Sequence, residues 1–205
     1  MTDIIALIGT LATSIAIAYL LGAVPTAALI SRYRGIDIFS VGTGLAGASN
    51  VRRHVGNASG GLVLSADLIK GCLAIITSQM LGLEGSWLVA PGFAVVMGHW
   101  NSVFTGFKGG DGLATLGGIF IASFMMYGLI AIFVGTLVAL GAQKMRYTSL
   151  LSVIFGYGTL LILSFTYLDE IPLTIGLGVI SGLVLLHASF GHYRRKNSKI
   201  LNVIK

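Results

Sequence analysis

The amino-acid sequence predicts an all-α integral membrane protein with seven transmembrane helices, one of them short. Three observations predict this class: the composition, the length of the apolar runs and the one-sided distribution of lysine and arginine. Of the 205 residues, 55% are hydrophobic and 10% are charged, and the mean hydropathy is +0.92. Soluble domains carry about 25% charged residues, so this chain has too few to cover a water-facing surface.

Five apolar runs have the length of a membrane-spanning helix, which is about 20 residues. They extend from about 5 to 30, 61 to 83, 86 to 105, 148 to 167 and 171 to 190. No basic region precedes the first run, which favours a retained helix over a cleaved signal peptide. The apolar stretch 112–143 is too long for one upright helix and short for two. The apolar pattern alone therefore fits six or seven spans.

The basic residues decide between six and seven spans. With seven spans and the N-terminus outside, every Lys and Arg except Lys70 lies in segments on one side, namely 31–60, 105–111, 144–147 and 192–205. Six spans would divide the basic loops between both faces, which the positive-inside rule disfavours. We therefore expect seven spans in a single domain, 1–205, with the C-terminus cytoplasmic. The short fourth span lies near 112–123, a turn near 123–127, and the fifth span ends at Gln143.

The longest polar loop, "SRYRGIDIFSVGTGLAGASNVRRHVG" at 31–56, has the residue types of a phosphate site. It contains three glycines, two hydroxyls, an amide and paired arginines: Gly42, Gly44, Gly47, Thr43, Ser49, Asn50, Arg52 and Arg53. Glycines allow backbone N–H groups to approach an anion, and arginines bind phosphate oxygens in a bidentate way. A flexible loop with topogenic arginines has the same composition, and the Walker spacing is absent.

Further polar clusters lie in or beside the apolar runs. In "DLIKG", Asp67 and Lys70 share one helix face and can neutralise each other; charges inside a membrane are costly and often functional. "GHWNSVFTGFKGGDGLAT", 98–115, offers His99 as a general base or a packing residue, Trp100 as an interfacial anchor, and a glycine-rich loop with Asp111 at its centre. Glycines at this density free backbone N–H groups to bind an anion, usually a phosphate. An aspartate is unexpected in a loop that binds phosphate.

Five stretches of the chain keep the order and spacing of the motifs of a known enzyme family. "YLLGAVPTAALISRYRGIDIFSVGTGLAGASNV" resembles an opening span with a Gly-Ser-Gly-Asn-x-Gly-Ala-Thr-Asn loop, and "DLIKG" matches Asp-x-x-Lys-Gly. "GHWNSVF" and "FKGGDGLAT" resemble Gly-His-x-x-Pro-x-Phe and Phe-x-Gly-Gly-Lys-Gly-Val-Ala-Thr, and "RYTSLLS" matches Arg-Tyr-x-Ser-x-x-Ser. Over nearly its whole length the chain resembles the bacterial acyl-phosphate:glycerol-3-phosphate acyltransferase family, the PlsY type.

This resemblance implies a reaction and a location. An acyl group would pass from acyl phosphate to the 1-hydroxyl of glycerol 3-phosphate, giving lysophosphatidic acid, without a metal or other cofactor. The enzyme would lie in the bacterial cytoplasmic membrane with its active site facing the cytoplasm. Its partners would be the two substrates and membrane lipids, with the enzyme that makes acyl phosphate as a further candidate and no nucleic acid.

The resemblance also implies site residues. Lys70, His99 and Ser149 stand at catalytic positions. The candidates for binding substrate phosphate are Gly42, Thr43, Gly44, Asn50, Arg53, Lys108, Gly109, Gly110 and Gly112. Asp111, His192 and Arg195 are further candidates.

Several positions depart from the family pattern, and Asp111 departs most because it stands where the family has lysine. Thr43 replaces serine, Leu45 asparagine, Ser49 threonine and Ser102 proline. For the C-terminal His-x-x-Asn, His192 is followed at that spacing by Arg195. Three functions stay open: a divergent acyltransferase in which Lys108 or Arg195 replaces the lost cation, a non-catalytic paralogue that binds lipid or a partner, and a small transporter.

Overall fold

The computed structural model describes residues 2–142, 145, 148–167 and 170–203, with side chains in these ranges from Asp3 to Ser189. This part of the chain is helical. Its nine α-helices are α1 Thr2–Ala23, α2 Thr26–Tyr33, α3 Ala48–His54, α4 Asn57–Met80, α5 Val89–Trp100, α6 Leu113–Phe124, α7 Met126–Gly141, α8 Thr148–Tyr167 and α9 Ile171–Val203.

The first apolar run is not one continuous helix, contrary to the prediction for 5–30. Helix α1 ends at Ala23, and α2 begins at Thr26. The cause is Pro25, which lacks a backbone N–H and restricts the conformation of Val24. At this break the carbonyl oxygens of Ala23 and Val24 accept hydrogen bonds from the Ser102 hydroxyl and the Lys70 ammonium. The break therefore receives two polar side chains from other parts of the fold.

Helices α5 and α6 are short. Each has 12 residues, or about 18 Å, which is well below the roughly 30 Å of a bilayer core. The helix predicted over 86–105 is therefore shorter than expected, and 3₁₀ turns at Gly85–Leu88 and Val103–Thr105 flank it. The predicted turn near 123–127 is confirmed, since only Met125 separates α6 from α7. Helix α7 ends at Gly141, and Gln143 lies outside the described residues.

The long helices have the composition of membrane spans. In the described residues, four stretches are long and apolar enough to cross a membrane: Asp3–Tyr33, Asn57–Met80, Thr148–Tyr167 and Ile171–Ser189. Helices α6 and α7 are apolar but shorter. The structure therefore contains four spans by length and composition, and two shorter apolar helices.

Glycines bring the helices into backbone contact, as is common between membrane helices. Gly71 of α4 and Gly118 of α6 face each other: a Cβ on Gly118 would overlap the carbonyl oxygen of Leu68 and lie 3.0 Å from the Gly71 Cα. Gly98 of α5 meets the carbonyl oxygen of Tyr19 on α1 in the same way. These contacts place α5 against α1, and α6 against α4.

We expect Gly118→Ala to lower stability by about 1–3 kcal/mol, because an added methyl group would force α4 and α6 apart. Gly158→Ala in α8 is the matched control, since a Cβ there meets nothing within 4 Å and alanine is favoured over glycine in helices. Unfolding of the purified protein by SDS titration measures both. Equal stabilities for the two variants would contradict the close crossing of α4 and α6.

Candidate active site

A polar cavity lies where α4, α5, the α1–α2 break and the loop 101–112 meet. Its charged and polar side chains are Thr26, Asp67, Lys70, His99, Ser102, Thr105 and Lys108, and Gly109 and Gly110 complete its wall. The cavity is narrow, with a volume of about 10 Å³, which is room for roughly one water molecule. Lys70, His99, Lys108, Gly109 and Gly110, predicted as site residues from separate motifs, therefore meet in one place.

A buried ion pair forms the floor of this cavity. Lys70 Nζ lies 2.8 Å from Asp67 Oδ1, and the two side chains are 8% and 4% exposed. The predicted pairing within "DLIKG" is thus confirmed. Lys70 also donates to the carbonyl oxygen of Val24 at 3.2 Å, and Thr26 Oγ1 donates to Asp67 Oδ1 at 3.2 Å. The pair is therefore anchored to both sides of the α1–α2 break.

His99, at the end of α5, lies between the ion pair and the glycine-rich loop. Its Nδ1 is 3.8 Å from Asp67 Oδ1, too far for a hydrogen bond but close for an electrostatic contact. On its other side, a Cβ on Gly110 would overlap His99 Nε2, so glycine is required there. His99 therefore connects the ion pair to the glycine-rich loop. Its catalytic role stays a prediction.

Backbone hydrogen bonds attach the glycine-rich loop to neighbouring segments. The N–H of Gly110 donates to the His99 carbonyl oxygen at 3.1 Å, and the N–H of Ala46 donates to the Gly109 carbonyl oxygen at 3.0 Å. Lys108, which is exposed, has its Nζ 5.8 Å from the centre of the Phe39 ring. Three contacts therefore connect this loop to α5 and to the first polar loop.

Asn50 organises the first polar loop from within. Its Nδ2 donates to the carbonyl oxygens of Ile38, Val41 and Leu45 at 3.3, 3.1 and 3.0 Å, and its Oδ1 accepts the N–H of Thr43 at 3.1 Å. Asn50 is 2% exposed. The structure thus gives this side chain a role in shaping the loop, and its binding of phosphate stays a prediction.

The remaining predicted residues of this loop lie around Asn50. Gly42 and Gly44 have φ of +57° and +65°, the left-handed region that favours glycine. A Cβ on Gly42 would also overlap Asn50 Oδ1 and the His54 ring. Arg53 is exposed on α3. Its guanidinium is therefore accessible to an anion, although Arg53 does not line the polar cavity.

Asp111 begins α6. Its Oδ1 accepts the N–H of Leu113 at 3.3 Å, and a carboxylate is favourable at a helix N-terminus because of the helix dipole. The next residue, Gly112, has φ of +86° and packs against the Trp100 indole. Asp111 therefore occupies a position that an anionic ligand of this helix end would otherwise take.

Trp100 supports this corner and is not the interfacial anchor that we predicted. It is 9% exposed. Its Nε1 donates to the Asp111 carbonyl oxygen at 2.9 Å, and its ring stacks on His187 of α9 with centroids 4.3 Å apart and planes 11° apart. The stacking joins α9 to the site. Sequence reasoning missed His187, because a lone histidine in an apolar run carries no local signal.

Ser149 lies apart from the polar cavity. It lines an apolar cavity of about 320 Å³ between α4, α6, α7 and α8. The side chains of His192 and Arg195 lie outside the described residues, as do Arg146 and Tyr147 of the "RYTSLLS" motif. The structure therefore brings together five predicted site residues and places Ser149 at a second cavity. The side chains of the two C-terminal candidates are outside the described part.

Comparison with known proteins identifies the family. A sequence model of the family described as "Glycerol-3-phosphate acyltransferase" matches residues 12–202. The chain belongs to this family. The glycerol-3-phosphate acyltransferase of Geotalea daltonii is 35% identical over 190 residues, which cover 92% of this chain and 94% of the relative. That of Geobacillus kaustophilus is 38% identical over 192 residues, covering 91% and 90%.

Solved structures agree with this assignment. A crystal structure of PlsY, an integral membrane glycerol 3-phosphate acyltransferase, in its glycerol 3-phosphate form matches with a TM-score of 0.73 and 30% identity. The match covers 94% of this chain and 92% of that one. The lysophosphatidic acid form of PlsY matches with a TM-score of 0.72. The chain is therefore an integral membrane protein with the PlsY fold.

We expect Lys70→Met to destabilise the protein by about 3–5 kcal/mol, because the Asp67 carboxylate would stay buried without its cation. Asp67→Asn should also destabilise the protein, because it leaves Lys70 buried. The double variant should cost clearly less than the sum of the single changes, as expected for side chains in contact. SDS-titration unfolding of all four proteins measures the cycle. Simple additivity would show that the pair is not coupled in the membrane protein.

Proposed function

We propose that this protein transfers the acyl group of an acyl phosphate to the 1-hydroxyl of glycerol 3-phosphate. The hydroxyl oxygen attacks the carbonyl carbon, the bond from that carbon to the phosphate oxygen breaks, and inorganic phosphate leaves. The products are lysophosphatidic acid and phosphate. The hydroxyl proton passes to an oxygen of the departing phosphate or to His99, which lies beside the glycine-rich loop.

One observation carries this proposal: a cation-containing polar cavity lies next to an apolar cavity large enough for part of an acyl chain. The two cavities are lined by residues that are close in sequence. Asp67 of α4 lines the polar cavity and Leu68 the apolar one; likewise Gly110 of the glycine-rich loop lines the polar cavity and Leu113, the first residue of α6, the apolar one. A substrate with an anionic head and an apolar tail fits this arrangement.

The residues suit a reaction that needs little covalent assistance. Acyl phosphate is an activated donor, so catalysis consists mainly of positioning two anions and stabilising the charge of the departing phosphate. Lys108 at the rim of the cavity and Arg53 on α3 are exposed cations for this task. The cavity has room for only about one water molecule, and glycerol 3-phosphate is larger than that. We therefore expect the loop 101–112 to move when glycerol 3-phosphate binds.

The proposal includes an orientation in the cytoplasmic membrane of a bacterium. Seven segments cross or enter the bilayer: α1 with α2, α4, the segment 85–100 with α5, and α6, α7, α8 and α9. With the N-terminus outside and the C-terminus in the cytoplasm, both polar loops and the basic tail face the cytoplasm, in agreement with the positive-inside rule. Glycerol 3-phosphate would then be taken directly from the cytoplasm.

An assay in sealed vesicles tests the reaction and the orientation together. Inside-out vesicles containing this protein should release phosphate from palmitoyl phosphate only when glycerol 3-phosphate is added. Right-side-out vesicles should not, since glycerol 3-phosphate does not cross the bilayer, and detergent should equalise the two. Activity in right-side-out vesicles alone would overturn the orientation. No glycerol 3-phosphate-dependent release in any preparation would support the non-catalytic paralogue.

We expect Asp111→Asn to lower the KM for glycerol 3-phosphate by about tenfold. The amide keeps an oxygen that can accept the Leu113 N–H but removes a negative charge, whose repulsion of phosphate is on the order of 1–2 kcal/mol at roughly 10 Å. Asp37→Asn is the matched control, because the exposed Asp37 likewise accepts an N–H two residues on, from Phe39 at 3.1 Å. An unchanged KM in both variants would show that Asp111 does not face the substrate phosphate.

A further inference from the structure

The apolar cavity between α4, α6, α7 and α8 has a definite direction. Helix α6 begins directly after the glycine-rich loop. Helix α7 runs antiparallel to α6 and α8, since Gly128 lies against the Phe120 carbonyl and the Ser152 hydroxyl donates to the Gly135 carbonyl oxygen. Leu113, Ala139 and Ser149 therefore lie at the end nearest the polar cavity, whereas Phe120 and Tyr157 lie at the opposite end. From Ser149 to Tyr157, α8 rises by about 12 Å. The cavity is thus a groove of limited depth.

The far end of the groove is lined by the Tyr157 ring, which is held on several sides. The Tyr157 hydroxyl donates to the Thr174 carbonyl oxygen of α9 at 3.1 Å. A Cβ on Gly178 would overlap that hydroxyl, so α9 contributes a glycine where the tyrosine ends. The Phe120 ring centre lies 6.4 Å from that of Tyr157. About one turn further along α8, the Leu160 side chain is fully buried.

We infer that Tyr157, backed by Phe120, sets the length of the acyl chain that the groove accepts. This inference rests on the proposed function, in which the groove holds the donor's acyl chain with the acyl phosphate head towards Ser149 and the polar cavity. Tyr157 is then a specificity residue: it touches the end of the chain and takes no part in the chemistry.

The physical effect is a turning point in a chain-length series. Each methylene that enters the groove gains packing contacts with its walls, which favours longer donors. Once the chain reaches the Tyr157 ring, a further methylene must bend back or displace a packed side chain, and overpacking is unfavourable. The value of kcat/KM should therefore rise with chain length and then fall.

Two substitutions on the same face of α8 should move this turning point in opposite directions. Tyr157→Ala removes the ring and should favour longer donors, because additional methylenes can pack in the new space. Val153→Phe fills the groove one turn nearer its mouth and should favour shorter donors. Tyr157→Phe keeps the ring and should keep the wild-type series. Tyr167→Ala is the control, since Tyr167 is on α8, 67% exposed and outside the groove.

The experiment measures kcat/KM for saturated acyl phosphates of increasing length, with glycerol 3-phosphate as acceptor, for the wild type and the four variants. Opposite shifts for Tyr157→Ala and Val153→Phe, with the other two unchanged, support the inference. If Tyr157→Ala does not fold, Val153→Phe must still shift the optimum to shorter donors. Transfer with the same series in every folded variant would overturn the role of Tyr157 but not the proposed function. No transfer by the wild type with any donor would overturn both.

Discussion

A buried ion pair inside a membrane helix constrains the rest of this structure. Separating Lys70 from Asp67 in such surroundings would leave a buried charge uncompensated, so neighbouring elements must keep the pair together and satisfied. The Lys70 ammonium donates a hydrogen bond to the Val24 carbonyl oxygen, and the Asp67 carboxylate accepts one from the Thr26 hydroxyl. The Val24 carbonyl oxygen is available, and Thr26 is held beside it, because Pro25 interrupts the first apolar run. The helix break and the ion pair therefore depend on each other, and together they fix α1, α2 and α4 around one point.

Short helices complete this polar interior. Irregular backbone at membrane depth is tolerated where it lines a polar cavity or is buried in protein, and α5 and α6 end and begin beside the ion pair. Their facing glycines let them approach α1 and α4 closely enough for the loop 101–112 to pack backbone against backbone. The hydrogen bond from Gly110 to His99 then ties the glycine-rich loop to α5, and the bond from Ala46 to Gly109 connects the two polar loops. Backbone hydrogen bonds between segments distant in sequence therefore help to assemble the site.

The sequence predicts the helices well where the signal is local. Apolar length, the position of basic residues and the "DLIKG" spacing predict α4, α8 and α9, the turn around Met125 and the Asp67–Lys70 pair, all of which the structure shows. Interactions that depend on tertiary packing could not be predicted in this way. Pro25 was visible, but its effect on α1 depends on the partners offered by Lys70 and Ser102. Asn50 resembles a phosphate ligand in composition, yet its amide shapes the loop. His187 gains a partner only because α9 passes Trp100.

The hydrogen bond from the Leu113 N–H to the Asp111 carboxylate gives a structural role to the residue that replaces the family lysine. A lysine at this position would add a cation beside the phosphate site, whereas the aspartate offsets the dipole of α6 and accepts the Leu113 N–H. In the described part of the cavity, Lys70 is paired with Asp67, and Lys108 is the exposed cation at the rim. In the proposed reaction, binding of a phosphate dianion would then fall to Lys108, to Arg53 and to loop N–H groups. Because exposed cations are screened by salt, glycerol 3-phosphate affinity in this protein should depend on ionic strength more strongly than it would with a buried lysine in place of Asp111.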